Sequence, residues 1–135
     1  MAGRADSLPL DHWLTYRFGL VTSRVGRLMV PMVRERHGLK LWEWRALAVI
    51  ASFEPLSAKD LAARTSTDPI LVARAIAALT GKGLISRVAD PQDRRRAVLR
   101  LTDEGRRIHA DIERASIRIE QTLSAGLTAD ERALL

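Results

Sequence analysis

The spacing of apolar residues changes abruptly at Gly83, and this change constrains the fold of the chain more than any other feature. Before Gly83, apolar residues recur at three- and four-residue steps, which predicts helices. Residues 84–88 and 97–101 are instead short β-rich runs with partial alternation, joined by the polar segment 89–96. Helical spacing returns from residue 102. The pattern predicts a mainly α fold with one small antiparallel β-hairpin.

Four helices are predicted before the hairpin. They span residues 10–36, 41–52, 58–64 and 68–79. The first is more than twice the usual length, and Pro31 is expected to bend it. The third starts after Ser57, which with Asp60 is close to a capping box. Asp68 as N-cap and Pro69 at the first helical position mark the start of the fourth.

Two more helices are predicted after the hairpin. Thr102 caps the first of them, and an apolar stripe follows until Gly126. Thr128 and Glu131 form a capping box that opens the last helix. The chain reaches Leu135 barely two turns later, which indicates either that a tail has been removed or that the end of this helix packs on a partner.

Composition excludes several classes of protein. The 135 residues include no cysteine, which removes disulfides, thiolate metal sites and cysteine nucleophiles. The histidines lie far apart in the sequence, so we expect no metal and no cofactor. No nucleophile–base pair or phosphate-binding glycine loop is present, so we do not expect an enzyme. No apolar run approaches the ~20 residues of a membrane span, and residues 1–7 lack the apolar stretch of a signal peptide, so we expect a soluble cytoplasmic protein.

Arginine dominates the positive charge. The chain has 22 Lys and Arg residues against 16 Asp and Glu, and 19 of the 22 are Arg, whose guanidinium suits bidentate contacts with phosphate and guanine. Residues 41–101 hold ten cations and six anions, whereas residues 102–135 hold five cations and seven anions. A basic chain can simply have a solvated surface, so the excess indicates function only where the local structure presents it. The tightest cluster is Arg94–Arg96.

A short helix, a turn and a second helix, followed at once by a hairpin, are the parts of a winged helix-turn-helix. The helix at 68–79 has the size to lie in the major groove of DNA, and a hairpin tip with Arg94–Arg96 can reach the adjacent minor groove. The alternative is an ordinary helical core with an arginine-rich turn in solvent. We expect one intertwined domain, made of a dimerisation helix at 8–38, a DNA-binding winged helix-turn-helix at 39–101 and dimerisation helices at 102–135.

The segment from Gly83 to Gly105 resembles the wing signature of the MarR-type transcriptional regulators. It reads Gly-Leu-x-x-Arg along the first strand, Asp-x-Arg at the tip and Leu-Thr-x-x-Gly at the start of the next helix. A looser match is Leu41-x-x-Trp44-x-x-Leu47. The resemblance covers nearly the whole chain. It implies a homodimer, built by the terminal helices, that binds a near-palindromic operator in double-stranded DNA.

By position, the resemblance implies that Arg95 enters the minor groove, with Asp93 bracing it and Arg94 nearby. A carboxylate two residues away can hold a guanidinium extended, although Asp93 also suits the role of a plain turn residue. Arg87 matches the arginine of the first strand, for which a phosphate contact and an ion pair with Asp90 both remain open.

The helix at 68–79 departs from the family pattern. Where relatives usually offer Ser or Thr, it has Ile70, Leu71 and Ala73, and Arg74 remains as a polar contact. With Val72 these apolar residues span a full turn, so they cannot all face the core, and Leu71 is expected to be exposed. Leu71 or Val72 would then meet thymine methyl groups. The predicted DNA-binding residues are Arg64, Thr65, Ser66, Thr67, Leu71, Arg74, Arg87, Asp93, Arg94, Arg95 and Arg96.

Members of the family often bind small anionic aromatics where the dimer helices meet the DNA-binding part. Candidate residues for such an effector site here are His12, Trp13, Tyr16, Arg17, Trp42 and Arg45. Trp13, Tyr16 and Arg17 have helical spacing that predicts one shared face, and so have Trp42 and Arg45. An aromatic pocket with one or two arginines suits an aromatic carboxylate. The alternative is dimer-core packing with surface arginines.

The sequence therefore predicts a ligand-responsive transcriptional regulator, acting as a repressor, that binds DNA as a homodimer. An alternative is an architectural protein that binds DNA without sequence preference. The apolar character of the helix at 68–79 favours that alternative, because few of its side chains can hydrogen-bond to base edges.

Overall fold

The computed structural model describes residues 8–135, so the expectation about a signal peptide, which concerns residues 1–7, lies outside the described part. The helices are α1 (Leu14–Val30), α2 (Leu41–Phe53), α3 (Ala58–Thr65), α4 (Pro69–Gly81), α5 (Asp103–Ser124) and α6 (Ala129–Leu134), and the strands are β1 (Ile85–Ala89) and β2 (Ala97–Leu101). The predicted mainly α fold with one antiparallel hairpin is confirmed. No helix of residues 8–135 is both long and apolar enough to cross a lipid bilayer.

The prediction of one continuous helix over residues 10–36 is wrong. The segment consists of a 3-10 turn at Leu10–His12, then α1, then a π-helical turn at Pro31–Glu35. Trp13 separates the first two pieces in an extended conformation, and its indole N–H donates to the Leu8 carbonyl at 2.7 Å. The π turn begins at the proline, and the Arg36 N–H donates to the Pro31 carbonyl at 3.1 Å. Pro31 therefore changes the helix type at the predicted position.

The core lies between α2, α3, α4, α5 and the hairpin. Its fully buried side chains include Leu39, Leu47, Ile50, Leu61, Leu79, Leu99 and Ile112. The hairpin joins this core through β2, because Leu99 and Leu56 exchange backbone hydrogen bonds of 2.8 and 3.4 Å. The wing is therefore attached both to α4, through the chain, and to the segment that precedes α3.

The first strand starts one residue later than the sequence predicts. Leu84 instead takes part in the turn that closes α4, because its N–H donates to the Leu79 carbonyl at 3.0 Å. Gly83 has a φ of +70°, which only glycine adopts without strain, and it turns the chain into the strand. The pairing then runs in register from Ile85 opposite Leu101 to Ala89 opposite Ala97.

Close packing joins the wing to the start of α5. The Thr102 hydroxyl donates to the Gly83 carbonyl at 2.6 Å and accepts from the Gly105 N–H at 3.0 Å. A Cβ placed on Gly105 would lie 2.0 Å from the carbonyl oxygen of Leu84. The Leu-Thr-x-x-Gly pattern therefore has a physical reason, since α5 meets the backbone at the end of α4 too closely for any side chain.

A buried carboxylate connects the start of α2 to the end of α4. Glu43, whose side chain is 3% exposed, lies 2.6 Å from the Lys82 ammonium and accepts the Lys40 N–H at 3.0 Å. Lys82 also donates to the Gly38 carbonyl at 2.9 Å. The C-terminus of α4 is thus tied to the start of α2 and to the turn that follows the π-helical segment.

Asp111 on α5 anchors the end of that π-helical segment. Its Oδ2 lies 2.7 Å from His37 Nε2 and 3.1 Å from Arg36 Nε, and Oδ1 accepts from Arg114 at 3.3 Å. The hydrogen bond with His37 is the main reason why the pKa of Asp111 lies below its ordinary value. The hydrogen bond with Arg114 and the charge of Arg36 lower this pKa further.

We expect Asp111→Asn to unfold at a lower urea concentration than the parent protein at pH 7. A carboxyl whose pKa is lower in the folded chain adds stability above its unfolded pKa, about 3.8, and this contribution is lost as the pH falls through the folded value. The difference in urea midpoint should therefore shrink below pH 4. Asp130→Asn, which removes an exposed carboxylate on α6, is the control. A difference for Asp111→Asn that stays the same at both pH values would contradict this account.

Candidate nucleic-acid interface

Two side-chain caps fix the geometry of the helix-turn-helix. Ser57 Oγ accepts from the Asp60 N–H at 3.1 Å at the start of α3, and Asp68 Oδ1 accepts from the Ile70 N–H at 2.7 Å at the start of α4. Both caps are as predicted. Between the helices, Ser66 has a φ of +50°, and this left-handed residue makes the turn short enough for α3 and α4 to pack on each other.

One face of α4 is free of the core and mostly apolar. Ile70 is 68% exposed, Leu71 is 49% exposed, and Ala73 and Arg74 are exposed beside them. The predicted exposure of Leu71 is confirmed. Val72 is 4% exposed and faces the core, so its predicted contact with thymine is wrong. Sequence reasoning missed the exposure of Ile70, because an apolar side chain gives no sign that its position is at the surface.

The predicted contact residues at the turn are held by local hydrogen bonds. The Thr65 hydroxyl donates to the Leu61 carbonyl at 2.7 Å, and the Thr67 hydroxyl donates to the Thr65 carbonyl at 3.0 Å. Ser66 is exposed. The guanidinium carbon of Arg64 lies 3.8 Å from the centre of the Phe53 ring, so a cation–π contact orients this arginine.

A basic concavity of about 350 Å³ lies between the start of α3 and the base of the wing. Its walls include Ser57, Lys59, Arg87 and Arg96. The N-terminal end of α3 adds the partial positive charge of its helix dipole. Among residues 8–135, Arg87 forms no ion pair with Asp90, because that carboxylate instead accepts the Gln92 N–H at 2.9 Å. The ion pair predicted as one alternative for Arg87 does not form, and the phosphate contact stays a prediction.

The carboxylate of Asp60, next to Lys59 in the chain, is hydrogen-bonded to Ser57 in the cap of α3. Hydrogen bonds from the Ser57 side chain and backbone lower its pKa, and the charges of Arg96 and Arg64 lower it further. The lowered pKa therefore keeps this carboxylate ionised. Sequence reasoning missed Lys59, because its role depends on the position of the wing rather than on its neighbours in the chain.

The tip of the wing is stiffened by Asp93, but not in the predicted way. Asp93 Oδ1 accepts from the backbone N–H of Arg95 at 3.1 Å, and the Asp93 carbonyl accepts from the Arg96 N–H at 3.0 Å. The expected bracing of the Arg95 guanidinium is corrected to bracing of its backbone. A two-residue spacing favours this turn, because the short side chain reaches the amide first. Arg94 and Arg95 extend outward and are exposed.

The structure does not bring the predicted effector residues together within one protomer. Trp13 is the N-cap of α1, and its carbonyl accepts the Arg17 N–H at 3.0 Å. The predicted shared face with Tyr16 and Arg17 stays a prediction. Trp42 and Arg45 do meet, at a cavity of about 140 Å³ behind α4. A larger cavity of about 420 Å³ lies between α1, α2 and α5. His12, Trp13, Tyr16 and Arg17 line neither of these two cavities.

Two residues next to each other on α2 face the larger cavity. Trp44 and Arg45 line it together with apolar residues of α1 and α5, and Glu120 lies on the α5 side. Trp44 also stacks on His109 with ring centres 5.4 Å apart. Sequence reasoning had singled out Trp44 only as part of the Leu41-x-x-Trp44-x-x-Leu47 match. Within the described part of the chain, no three His, Asp or Glu side chains are placed to hold a metal ion.

The fold and the basic surface together define a winged helix-turn-helix protein. The family model described as MarR family matches residues 37–96. The PcaV transcriptional regulator from Streptomyces coelicolor, solved in complex with its natural ligand, has a TM-score of 0.79 and 28% identity, and the alignment covers 96% of this chain and 91% of that one. Over residues 37–96 the chain is similar to the MarR family of transcriptional regulators.

Two curated relatives are similar over the same length. A putative transcriptional regulatory protein for the hcr operon of Thauera aromatica is 39% identical over 89 residues, and the HTH-type transcriptional regulator YdgJ of Bacillus subtilis (strain 168) is 32% identical over 89 residues. Each alignment covers 66% of this chain and 54% of the relative. The chain thus matches about half the length of these relatives.

Proposed function

We propose that this protein is a ligand-responsive transcriptional repressor that binds a near-palindromic DNA operator as a homodimer. The observation that carries the proposal is the basic concavity formed by Lys59, Arg87 and Arg96 at the junction of α3 and the wing. A DNA phosphate there would meet three cations and a helix N-terminus, which fixes the protein on the duplex. The exposed face of α4 is then the element available for the major groove.

The exposed surface of the terminal helices supports the dimer. Leu14, Phe18, Val21 and Leu28 follow each other at four-, three- and seven-residue steps along α1, and each is more than half exposed. Such a stripe matches the seam along which helices associate. On the C-terminal side, Ile117, Leu123, Leu134 and Leu135 are exposed as well. A second copy of the chain would cover both surfaces and place two α4 helices on one duplex.

Selection of DNA from a random library by the purified protein tests the proposal. We expect enrichment of a pseudo-palindrome whose half-sites lie about 10 bp apart, because two recognition helices must enter successive major grooves about 34 Å apart. Enrichment of no sequence, with tight binding to every duplex, would instead establish the architectural alternative. The apolar face of α4 is the specific observation that favours this second function.

For the effector, we propose a small aromatic carboxylate bound in the cavity between α1, α2 and α5. Its apolar walls and Trp44 suit an aromatic ring, and Arg45 suits a carboxylate that points away from Glu120. The ligand-bound structure of the related PcaV supports a ligand-responsive protein. Because the cavity separates the dimer helices from α2, an occupant would alter the spacing of the two α4 helices and lower the affinity for DNA.

We expect Arg45→Ala to weaken binding of benzoate or hydroxybenzoates at least about tenfold, since a charge-assisted hydrogen bond to the carboxylate is lost. Quenching of tryptophan fluorescence measures the affinity, with Trp44 in the cavity wall. Arg24→Ala is the matched control, because Arg24 is an exposed arginine of α1 that does not line the cavity. Equal affinities of the two variants for the aromatic acid would contradict the assignment of Arg45.

A further inference from the structure

The exposed face of α4 is poor in hydrogen-bonding groups. Ile70 and Leu71 are its largest exposed apolar side chains, and Ala73 and Ala77 add only methyl groups. Arg74 is the only residue with a side-chain nitrogen or oxygen on this face before Thr80, at the far end of the helix. A recognition helix of this kind can make one hydrogen-bonded base contact and otherwise presents hydrocarbon.

The surroundings of this face indicate nucleic acid as its occupant. Arg64 is held by Phe53 at the end of α3, and Lys59, Arg87 and Arg96 form the basic concavity at the wing base. These cations lie on α3 and at the base of the wing, the elements on either side of α4 in the chain. They would gain nothing from an apolar protein surface, whereas they would attract the phosphates beside a major groove.

Only one group in the major groove offers hydrocarbon to such a helix. Adenine, guanine and cytosine present hydrogen-bond donors and acceptors there, while thymine also presents its C5 methyl group. We propose that Ile70 and Leu71 recognise the C5 methyl groups of thymines in the operator, and that Arg74 makes the one hydrogen-bonded base contact, to a guanine. This inference rests on the proposed function and names the bases that α4 distinguishes.

The positions on the helix fit this assignment. Ile70 is the second residue of α4, and the N-terminal residues of a recognition helix are those that reach base edges. Arg74 lies about one turn further along the same face, about 6 Å away along the axis, which corresponds to one to two base steps. Leu71 lies at the side of this face of α4, where it also lines the cavity behind the helix. Methyl contacts and the guanine contact should therefore fall at neighbouring positions of each half-site.

The test uses the duplex obtained by selection, with each half-site thymine replaced by deoxyuridine, which lacks only the methyl group. We expect the affinity to fall about fourfold for each contacted methyl, the worth of one buried methyl group. Replacing the thymine–adenine pair by 5-methylcytosine–guanine should keep more of the affinity than replacing it by cytosine–guanine, because the methyl group stays in the groove. Deoxyuridine at positions outside the footprint serves as the control.

The protein variants complete a double-mutant cycle. Ile70→Ala removes an exposed side chain, so it should keep the fold, and a thermal melt verifies this. One thymine of each half-site is the one that Ile70 contacts. When deoxyuridine replaces that thymine, we expect this variant to bind the two duplexes with equal affinity. Arg74→Ala should keep the preference for thymine over deoxyuridine. Its affinity for the selected duplex should fall, because the contact with the guanine is lost.

Two outcomes are distinguishable. If the wild-type protein binds the selected duplex but does not distinguish thymine from deoxyuridine at any half-site position, the methyl assignment is overturned and the proposed function stands. If the protein binds no DNA, both the assignment and the proposed function are overturned.

Discussion

Gly105→Ala is expected to lower the free energy of unfolding by about 3 kcal/mol, the upper range for side chains forced into a packed site. The added Cβ would lie 2.0 Å from the Leu84 carbonyl oxygen, and that oxygen is backbone, so it cannot rotate away. The same carbonyl accepts the Thr102 N–H at 3.0 Å, so moving it also weakens the start of α5. Urea unfolding at a fixed protein concentration measures the loss.

Gly81→Ala is the matched control for this prediction. Gly81 is the last residue of α4, no heavy atom lies within 4 Å of its would-be Cβ, and alanine is the better helix former by up to about 1 kcal/mol. We expect this variant to be as stable as the parent or slightly more stable. Equal stability of the two alanine variants would show that α5 does not pack on the end of α4 as described.

Arg95→Ala is expected to weaken operator binding roughly tenfold for each half-site, because an exposed arginine at the wing tip is lost from the minor groove. The slope of log affinity against log salt should become shallower by about 2 for a dimer, since each wing neutralises one phosphate charge fewer. Fluorescence anisotropy at several salt concentrations measures both quantities.

Arg118→Ala provides the control with the same change of charge. Arg118 is an exposed arginine on α5, distant in the chain from the helix-turn-helix and the wing. The operator affinity and the salt slope of the Arg118→Ala variant should stay close to those of the parent protein. If Arg95→Ala behaves like Arg118→Ala, the wing tip does not contact DNA, and the account of the wing must be abandoned.

Features that depend on neighbouring residues could be read from the sequence. The caps at Ser57, Asp68, Thr102 and Thr128 all form as predicted, because each connects residues two or three positions apart. The change from helix to hairpin at Gly83 was visible for the same reason. These local signals were enough to derive the order of helices and strands.

Contacts between distant residues could not be read in this way. The Glu43–Lys82 pair joins residues 39 positions apart, and the His37–Asp111 pair joins residues 74 positions apart. Nothing in the local pattern of either pair indicates its partner. The break at Trp13 depends likewise on a hydrogen bond to Leu8 that helical periodicity does not reveal. Long-range contacts of this kind position the segment that follows α1 relative to α2, α4 and α5.

The same distinction between local and long-range features applies to the candidate site. The sequence indicated an arginine-rich wing tip and an exposed Leu71, both of which follow from local structure. It did not indicate that Lys59 lines a concavity with Arg87 and Arg96, because that depends on how the wing packs beside α3. Nor did it show that Trp44 and Arg45 line a cavity between α1, α2 and α5, because that depends on how these helices pack.

Hydroxyl-radical footprinting on the selected duplex tests the central claim most directly, namely that two copies of this chain present their α4 helices to successive major grooves. We predict two protected stretches per strand, related by a two-fold axis and centred about 10 bp apart, with further protection where each wing crosses the adjacent minor groove. A single protected stretch, or uniform protection along any duplex, would contradict the account.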